Sequence, residues 1–289
     1  MRSTIEPHLP AKRRFFVPAL WLTLIAACGG SGGETTSATP AGGPQGPAPL
    51  APTPSAATID IDVLALVTES VSQHYTDPIL RVDHLLDAAN DVLAGAGVAM
   101  HFKLRRVETV AYPDGTDAPT ALDDLTFARH PAFAGVPDLR DAIHADLVVL
   151  IRPYANDGYC GYAWTNGVGT ADGAASSTFA NYGYSVAAID CSDYVLLHEL
   201  GHNLGLAHSR RETPNGGGLS YGAGYGRDND FVTIMASPTV FNAVQLPLLS
   251  DPNRSCNGAR CGVDHADPIN GADSVRALAI TIGQVATYR

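Results

Sequence analysis

This sequence contains no CxxC pair, no visible internal repeat and few basic residues. Without CxxC, a zinc site built from thiolates has no local scaffold. Without a fixed repeat period, solenoids and propellers drop out. Eighteen Lys and Arg face 29 Asp and Glu, for a formal net charge of −11. Residues 1–27 carry four basic groups and one acidic one, Glu6, so the remainder stands near −14. Such a surface repels a phosphate backbone and argues against a nucleic-acid partner. It reads as a solvated face and says little about substrate.

Long apolar runs are also scarce. Arg2, Lys12, Arg13 and Arg14 make a basic start, and the apolar run from Phe15 to Ala27 spans 13 residues. That is too short to cross a bilayer but suits the core of a secretory signal. The run ends Leu24-Ile25-Ala26-Ala27-Cys28 before Gly29-Gly30-Ser31, which resembles a bacterial lipobox, where the cysteine is acylated and becomes the N-terminus. A plain signal cleaved near Ala27 is the other reading; both export the chain. The expected organisation is a signal at 1–27, a Gly/Pro/Ser/Thr tether at 28–57 in which six prolines rule out helix or sheet ladders, and one domain at 58–289. The expected place is the cell envelope, lipid-anchored, with release as a secreted form also open.

With Cys28 set aside, four cysteines remain, an even count that in an exported chain suggests two disulfides. Cys256 and Cys261 are close enough for a local staple, and Cys160 with Cys191 would follow.

Hydrophobic periodicity predicts strands at 59–67, 98–110, 147–151 and 186–189, and helices at 79–94, 138–144, 192–204 and 274–285. Ser192 or Asp193 is a candidate N-cap for the third of these helices. The strand–helix alternation points to an α/β layer followed by irregular chain.

The chemistry concentrates in HELGHNLGLAH at 198–208. His198 and His202, four apart on a helix, place two imidazoles on one face within reach of one ion. Glu199 lies beside the first ligand, placed to take a proton from bound water. Gly205 lets the chain leave the helix in a left-handed conformation, bringing His208 round as a third ligand. Three protein ligands and an open position are the pattern of a catalytic rather than structural zinc site. With ten His, six Glu and 29 Gly, chance placement of these five residues arises roughly twice in 100,000 chains. An amphipathic helix with surface histidines would explain Leu196, Leu197, Leu200 and Leu204, but not the Glu, the Gly and the third His.

The motif resembles the metzincin signature HExxHxxGxxH followed by a methionine turn. Met235, in Thr233-Ile234-Met235-Ala236, is the candidate for that turn, since Met1 and Met100 lie upstream of the motif. The TIMA sequence, Ser250-Asp251-Pro252, the nearby cysteine pair and a closing helix resemble the reprolysin (adamalysin-type) branch and its bacterial members. The resemblance implies an α/β (α+β) zincin fold with a twisted mixed sheet, long helices and an irregular C-terminal part ending in a helix. It implies one catalytic zinc and a methionine that packs beneath the ligands. Two departures stand out: Ser209 follows His208 where reprolysins usually have Asp, and no tyrosine stands two residues after Met235.

The remaining histidines of the 58–289 domain, His74, His84, His101, His130, His144 and His265, lack ligand spacing. Asp228, Asn229 and Asp230, or Asp264 and Asp267, are candidates for calcium, although no EF-hand spacing is present. The Gly-rich stretches at 215–218 and 222–226 read as ordinary loops. The expected function is hydrolysis of internal peptide bonds in proteins or peptides by a monomer. Competing readings are a zinc-binding surface lipoprotein without catalysis and a zinc exopeptidase or amidase.

Overall fold

A computed structural model describes residues 2–5, 57–170 and 177–289. Cys28, the signal segment beyond Ile5 and the tether up to residue 56 lie outside the described residues.

The chain forms a mixed six-stranded sheet with helices on both faces, as the periodicity implied. Its elements in order are β1 (Arg2–Ile5), β2 (Ile59–Thr68), α1 (Glu69–His74), α2 (Pro78–Gly95), β3 (Met100–Val110), α3 (Ala118–Thr126), α4 (Val136–Ala142), β4 (Leu147–Arg152), β5 (Gly161–Trp164), β6 (Tyr184–Ala188) and α5 (Val195–Asn203). The sheet order is β1-β5-β6-β4-β2-β3. Strands β3, β2, β4 and β6 run parallel, whereas β5 turns antiparallel to β6 and β1 pairs antiparallel with the outer edge of β5.

Alternation along the central strands sorts two cores. In β2, Ile61, Val63, Ala65 and Val67 face the cluster that contains α2, α5 and the C-terminal helix, while Leu64 and Leu66 face α3 and α4. In β4, Leu147, Val149 and Ile151 join the first core, Val148 and Leu150 the second. Side chains of a strand alternate between faces, so the stretches 63–67 of β2 and 147–151 of β4, covered on both faces, are apolar throughout.

After α5 come β7 (Gly226–Arg227), β8 (Phe231–Val232), α6 (Pro238–Phe241), β9 (Val244–Gln245), β10 (Asp251–Cys256), β11 (Ala259–Cys261) and α7 (Ser274–Val285). This part is less irregular than the sequence implied: β7, β8 and β9 form a small sheet, and β10 with β11 a hairpin. The strands of the first are too short to leave a period-2 signature, and the six residues of β10, DPNRSC, carry no apolar alternation. Helix α3 also escaped prediction, although its start is written locally, with Asp117 accepting from Thr120 N at 2.9 Å ahead of a first-turn proline.

Two disulfides are formed, Cys160–Cys191 and Cys256–Cys261. The first joins the residue before β5 to the turn leading into α5, closing a separation of 31 residues; the second closes only 5. Loop entropy makes the first worth roughly 3–4 kcal/mol and the second about 2. Paired Cys→Ser replacements compared by denaturant unfolding should therefore show the larger loss for the Cys160–Cys191 pair.

Candidate metal centre and active site

Helix α5 carries the motif as a fully buried rod. Leu196, Leu197, Leu200 and Leu204 pack into the first core. The helix begins later than its sequence suggests. Tyr194 is the cap residue and makes no side-chain cap bond; Ser192 instead accepts from Tyr194 N at 3.1 Å, two residues too early to cap. Asp193, the other candidate cap, pairs with Arg81 at 2.9 Å.

The far end of α5 is held by two asparagines that the motif reading left unassigned. Asn203 Nδ2 donates to the Trp164 carbonyl of β5 and the Tyr184 carbonyl of β6, both at 3.0 Å. Asn166 N donates to His202 O at 3.1 Å, and Asn166 Nδ2 to Asn203 O at 2.8 Å. The helix end is thereby pinned to β5 and β6. Nothing in the spacing of two asparagines 37 residues apart signals that role.

Gly205 then takes φ +89°, a left-handed residue that caps the helix without a Cβ penalty. The chain doubles back, Ala207 bridges to Ala223, and His208 turns inward. Met235 is fully buried, its sulfur against Gly201 of α5. Ala236 N donates to Thr233 O at 2.9 Å, closing a turn with Met235 on it. The glycines at 216, 217, 222 and 224 line this crossing, and Gly224 packs on the Met235 backbone. That stretch is close packing rather than loose loop.

The ring nitrogens of His198, His202 and His208 gather with their ligand atoms within 4.8 Å of one another, the one such cluster among the described residues. His198 Nδ1 meets Ile234 O at 2.8 Å and His202 Nδ1 meets Leu206 O at 2.7 Å. A carbonyl accepts only, so each Nδ1 carries its proton and each Nε2 turns a lone pair inward. His202 Nε2 is buried without a hydrogen-bond partner. Three converging neutral imidazoles and an orphaned nitrogen fit a zinc ion. Burial is the main cause holding all three histidines below their ordinary value, and it brings His202 down to about 4; mutual repulsion adds to the effect on His198 and His208.

Glu199 is completely buried, and neither carboxylate oxygen has a hydrogen-bond partner. Burial pushes its carboxyl well above the usual range. Its neighbour is Gly161, the first residue of β5, where an added Cβ would stand 2.5 Å from the Glu199 Cδ. Strand β5 thus passes directly over the carboxylate. This contact is invisible in the motif, because Gly161 lies 38 positions upstream.

The other histidines stand apart from this cluster; His84 lies 3.7 Å from Asp193, and His265 lies 3.1 Å from Asp264. The calcium candidates do not assemble. Asp228 pairs with Arg211, Asp230 accepts from Asn257 at 2.9 Å, and Asp264 and Asp267 accept from backbone N–H groups of their own loop.

A mixed sheet ending in an antiparallel edge strand, above a helix with three converging histidines, a buried glutamate and a methionine turn, defines a metzincin-type metallopeptidase domain. The chain belongs to the reprolysin-like metallopeptidases of family M12B, whose family model matches residues 60–264. It is 29% identical over 257 residues to the peptidyl-Asp metalloendopeptidase of Pseudomonas aeruginosa, covering 81% of this chain and 41% of that protein. It is 27% identical over 237 residues to the protein of the same name from Xanthomonas campestris pv. campestris, covering 81% and 52%. The chain thus spans about half or less of the length of these curated relatives. Among solved structures, a chaperone–substrate complex contains a chain that superposes with TM-score 0.62 at 21% identity, covering 80% of this chain and 39% of that one, a likeness of fold.

Proposed function

We propose that this chain is a zinc-dependent endopeptidase that hydrolyses internal peptide bonds. The observation that carries the reading is Glu199: a buried carboxylate with both oxygens unpartnered, beside three metal-facing imidazoles. A site meant only to hold metal has no use for that group, and leaving it buried and unpaired is costly. His198, His202 and His208 would hold the ion. When bound, zinc supplies Lewis-acid polarisation of the scissile carbonyl and acidifies a water molecule. Glu199 takes the proton of the attacking water on its carboxylate and delivers it to the leaving amine nitrogen. Burial, which raises its proton affinity, suits a group that must hold a proton between those two steps.

The outer edge of β5 supports an extended substrate. It already pairs antiparallel with Arg2–Ile5, in a register that sets Ile5 opposite Gly161. A peptide taking the place of Arg2–Ile5 on this edge would run beside Gly161, next to Glu199, with its backbone held by ladder hydrogen bonds, which favours bonds inside a chain over those at a free end. The relatives' name points to aspartyl residues beside the cleaved bond, and we extend that preference to this chain.

The same reading includes export. A basic start, an apolar run and Ala26-Ala27-Cys28 support a lipid anchor at Cys28 on the envelope, and two disulfides suit an oxidising compartment. The proposal also takes the chain as a monomer.

The test uses purified full-length chain and a library of peptides with blocked and free ends. Cleavage of blocked peptides that stops with a chelator and returns with zinc is the expected result, enriched at Asp-containing bonds. One bound zinc with no cleavage would sink the enzymatic reading in favour of a binding module. Cleavage confined to free-ended peptides would replace it with an exopeptidase.

A further inference from the structure

His198 and His202 each seat Nδ1 on a main-chain carbonyl, whereas His208 Nδ1 faces a carboxylate, Glu212 Oε1, at 3.8 Å. The other oxygen of Glu212 has three donors around it. Ser209 Oγ donates at 2.6 Å, Ser209 N at 3.3 Å and Ser237 N at 3.3 Å. Glu212 N in turn donates to Ser209 O at 2.9 Å. Ser209 directly follows the third histidine, and Ser237 stands two residues past Met235. One carboxylate therefore ties the segment that carries His208 to the segment that carries the methionine turn. Ser209 is buried and the Glu212 side chain is only 14% exposed, so its charge is placed beside the metal ligands rather than in solvent.

We propose that Glu212 is the positioning residue of the third metal ligand. It fixes the orientation of the His208 ring through the Ser209–Glu212–Ser237 junction and places a negative charge behind that ring. A carboxylate behind a ligating imidazole raises its basicity and holds its rotation, and losing such a partner typically weakens metal affinity about 10- to 100-fold. The sequence carries a trace of the device. Ser209-Arg210-Arg211-Glu212 has the S-x-x-E spacing of a capping box, in which serine and glutamate satisfy each other's backbone. Here that spacing folds a tight turn, and the glutamate continues past the box to Ser237.

The inference rests on the zinc-peptidase reading above, and its test separates the two. Glu212→Gln keeps one oxygen as an acceptor and replaces the other with an amide nitrogen, so the turn bonds on the first can persist while the charge behind His208 is gone. Zinc affinity is measured on full-length chain by competition with a chromophoric chelator. Metal-free thermal stability and the visible spectrum of the cobalt(II)-loaded protein are followed in parallel. Glu212→Gln should bind zinc about 10- to 100-fold more weakly and shift the cobalt spectrum, with the metal-free melting temperature close to the parent. Glu212→Asp should recover part of the affinity. Ser209→Ala, which frees one anchor and leaves the charge, should lower affinity in the same direction by less, and it tests the junction if the glutamate variants fold poorly. Parent-like zinc affinity and cobalt spectrum in Glu212→Gln, or in Ser209→Ala if only that variant folds, would overturn the proposal and leave Glu212 a turn cap. Absence of zinc binding by the parent chain would instead overturn the zinc reading itself.

Discussion

Replacing Glu199 with Gln should lower kcat for peptide cleavage by about 100- to 10,000-fold, the range expected when a general base is lost. Zinc content should stay near one per chain, because the three imidazoles that gather within 4.8 Å include none of its atoms. The fold should also hold and even gain stability. Glu199 sits fully buried with two unpartnered oxygens, and an amide of the same shape brings no charge to desolvate. Loss of activity with metal and melting temperature preserved is thus the signature expected from active-site titration, metal analysis and calorimetry. Glu199→Gln activity within a few-fold of the parent would mean that proton transfer uses another group.

Replacing Gly161 with Ala should be nearly as damaging, for a steric reason. The new Cβ would be forced into the Glu199 side chain, 2.5 Å from Cδ. Either the carboxylate swings away or β5 moves off α5. Misplacing a reacting group by about 1 Å can cost about 100-fold in rate, and overpacking typically costs about 1–3 kcal/mol. Tyr162→Ala, one residue along the same strand and paired to the same partner strand, is the control. It removes bulk without approaching the carboxylate. Kinetics and unfolding measured on both should show the rate loss concentrated in Gly161→Ala. Equal losses in the two variants would place the effect in the strand as a whole rather than in the contact with Glu199.

These two positions show how unevenly the site can be read from sequence. His198, Glu199, His202, Gly205 and His208 fall within eleven consecutive residues, so helical geometry and one glycine turn suffice to bring them together. Met235 was found because a second, more distant signature accompanies the first. Gly161, Asn166, Asn203 and Glu212 were not found. Gly161 and Asn166 reach the site only because β5 turns antiparallel beside β6, a four-residue strand with no usable period. Asn203 sits at a position the motif leaves free, and what it holds lies on two other strands. Glu212 carried a short S-x-x-E spacing, whose local meaning hides the contact with Ser237, 25 residues away.

The sequence by itself determined the chemistry and the class of fold. Ligand spacing is a property of one helix and its exit turn, and the apolar central strands and amphipathic helices follow from local periods of 2.0 and 3.6 residues. Only the tertiary structure decided what closes over the metal centre. Strand β5 above Glu199, the asparagine pins at the end of α5 and the carboxylate behind His208 are contacts between segments far apart in the chain. They depend on where β5 is placed in the sheet and how closely two backbones approach, and neither quantity has a period that a sequence can display.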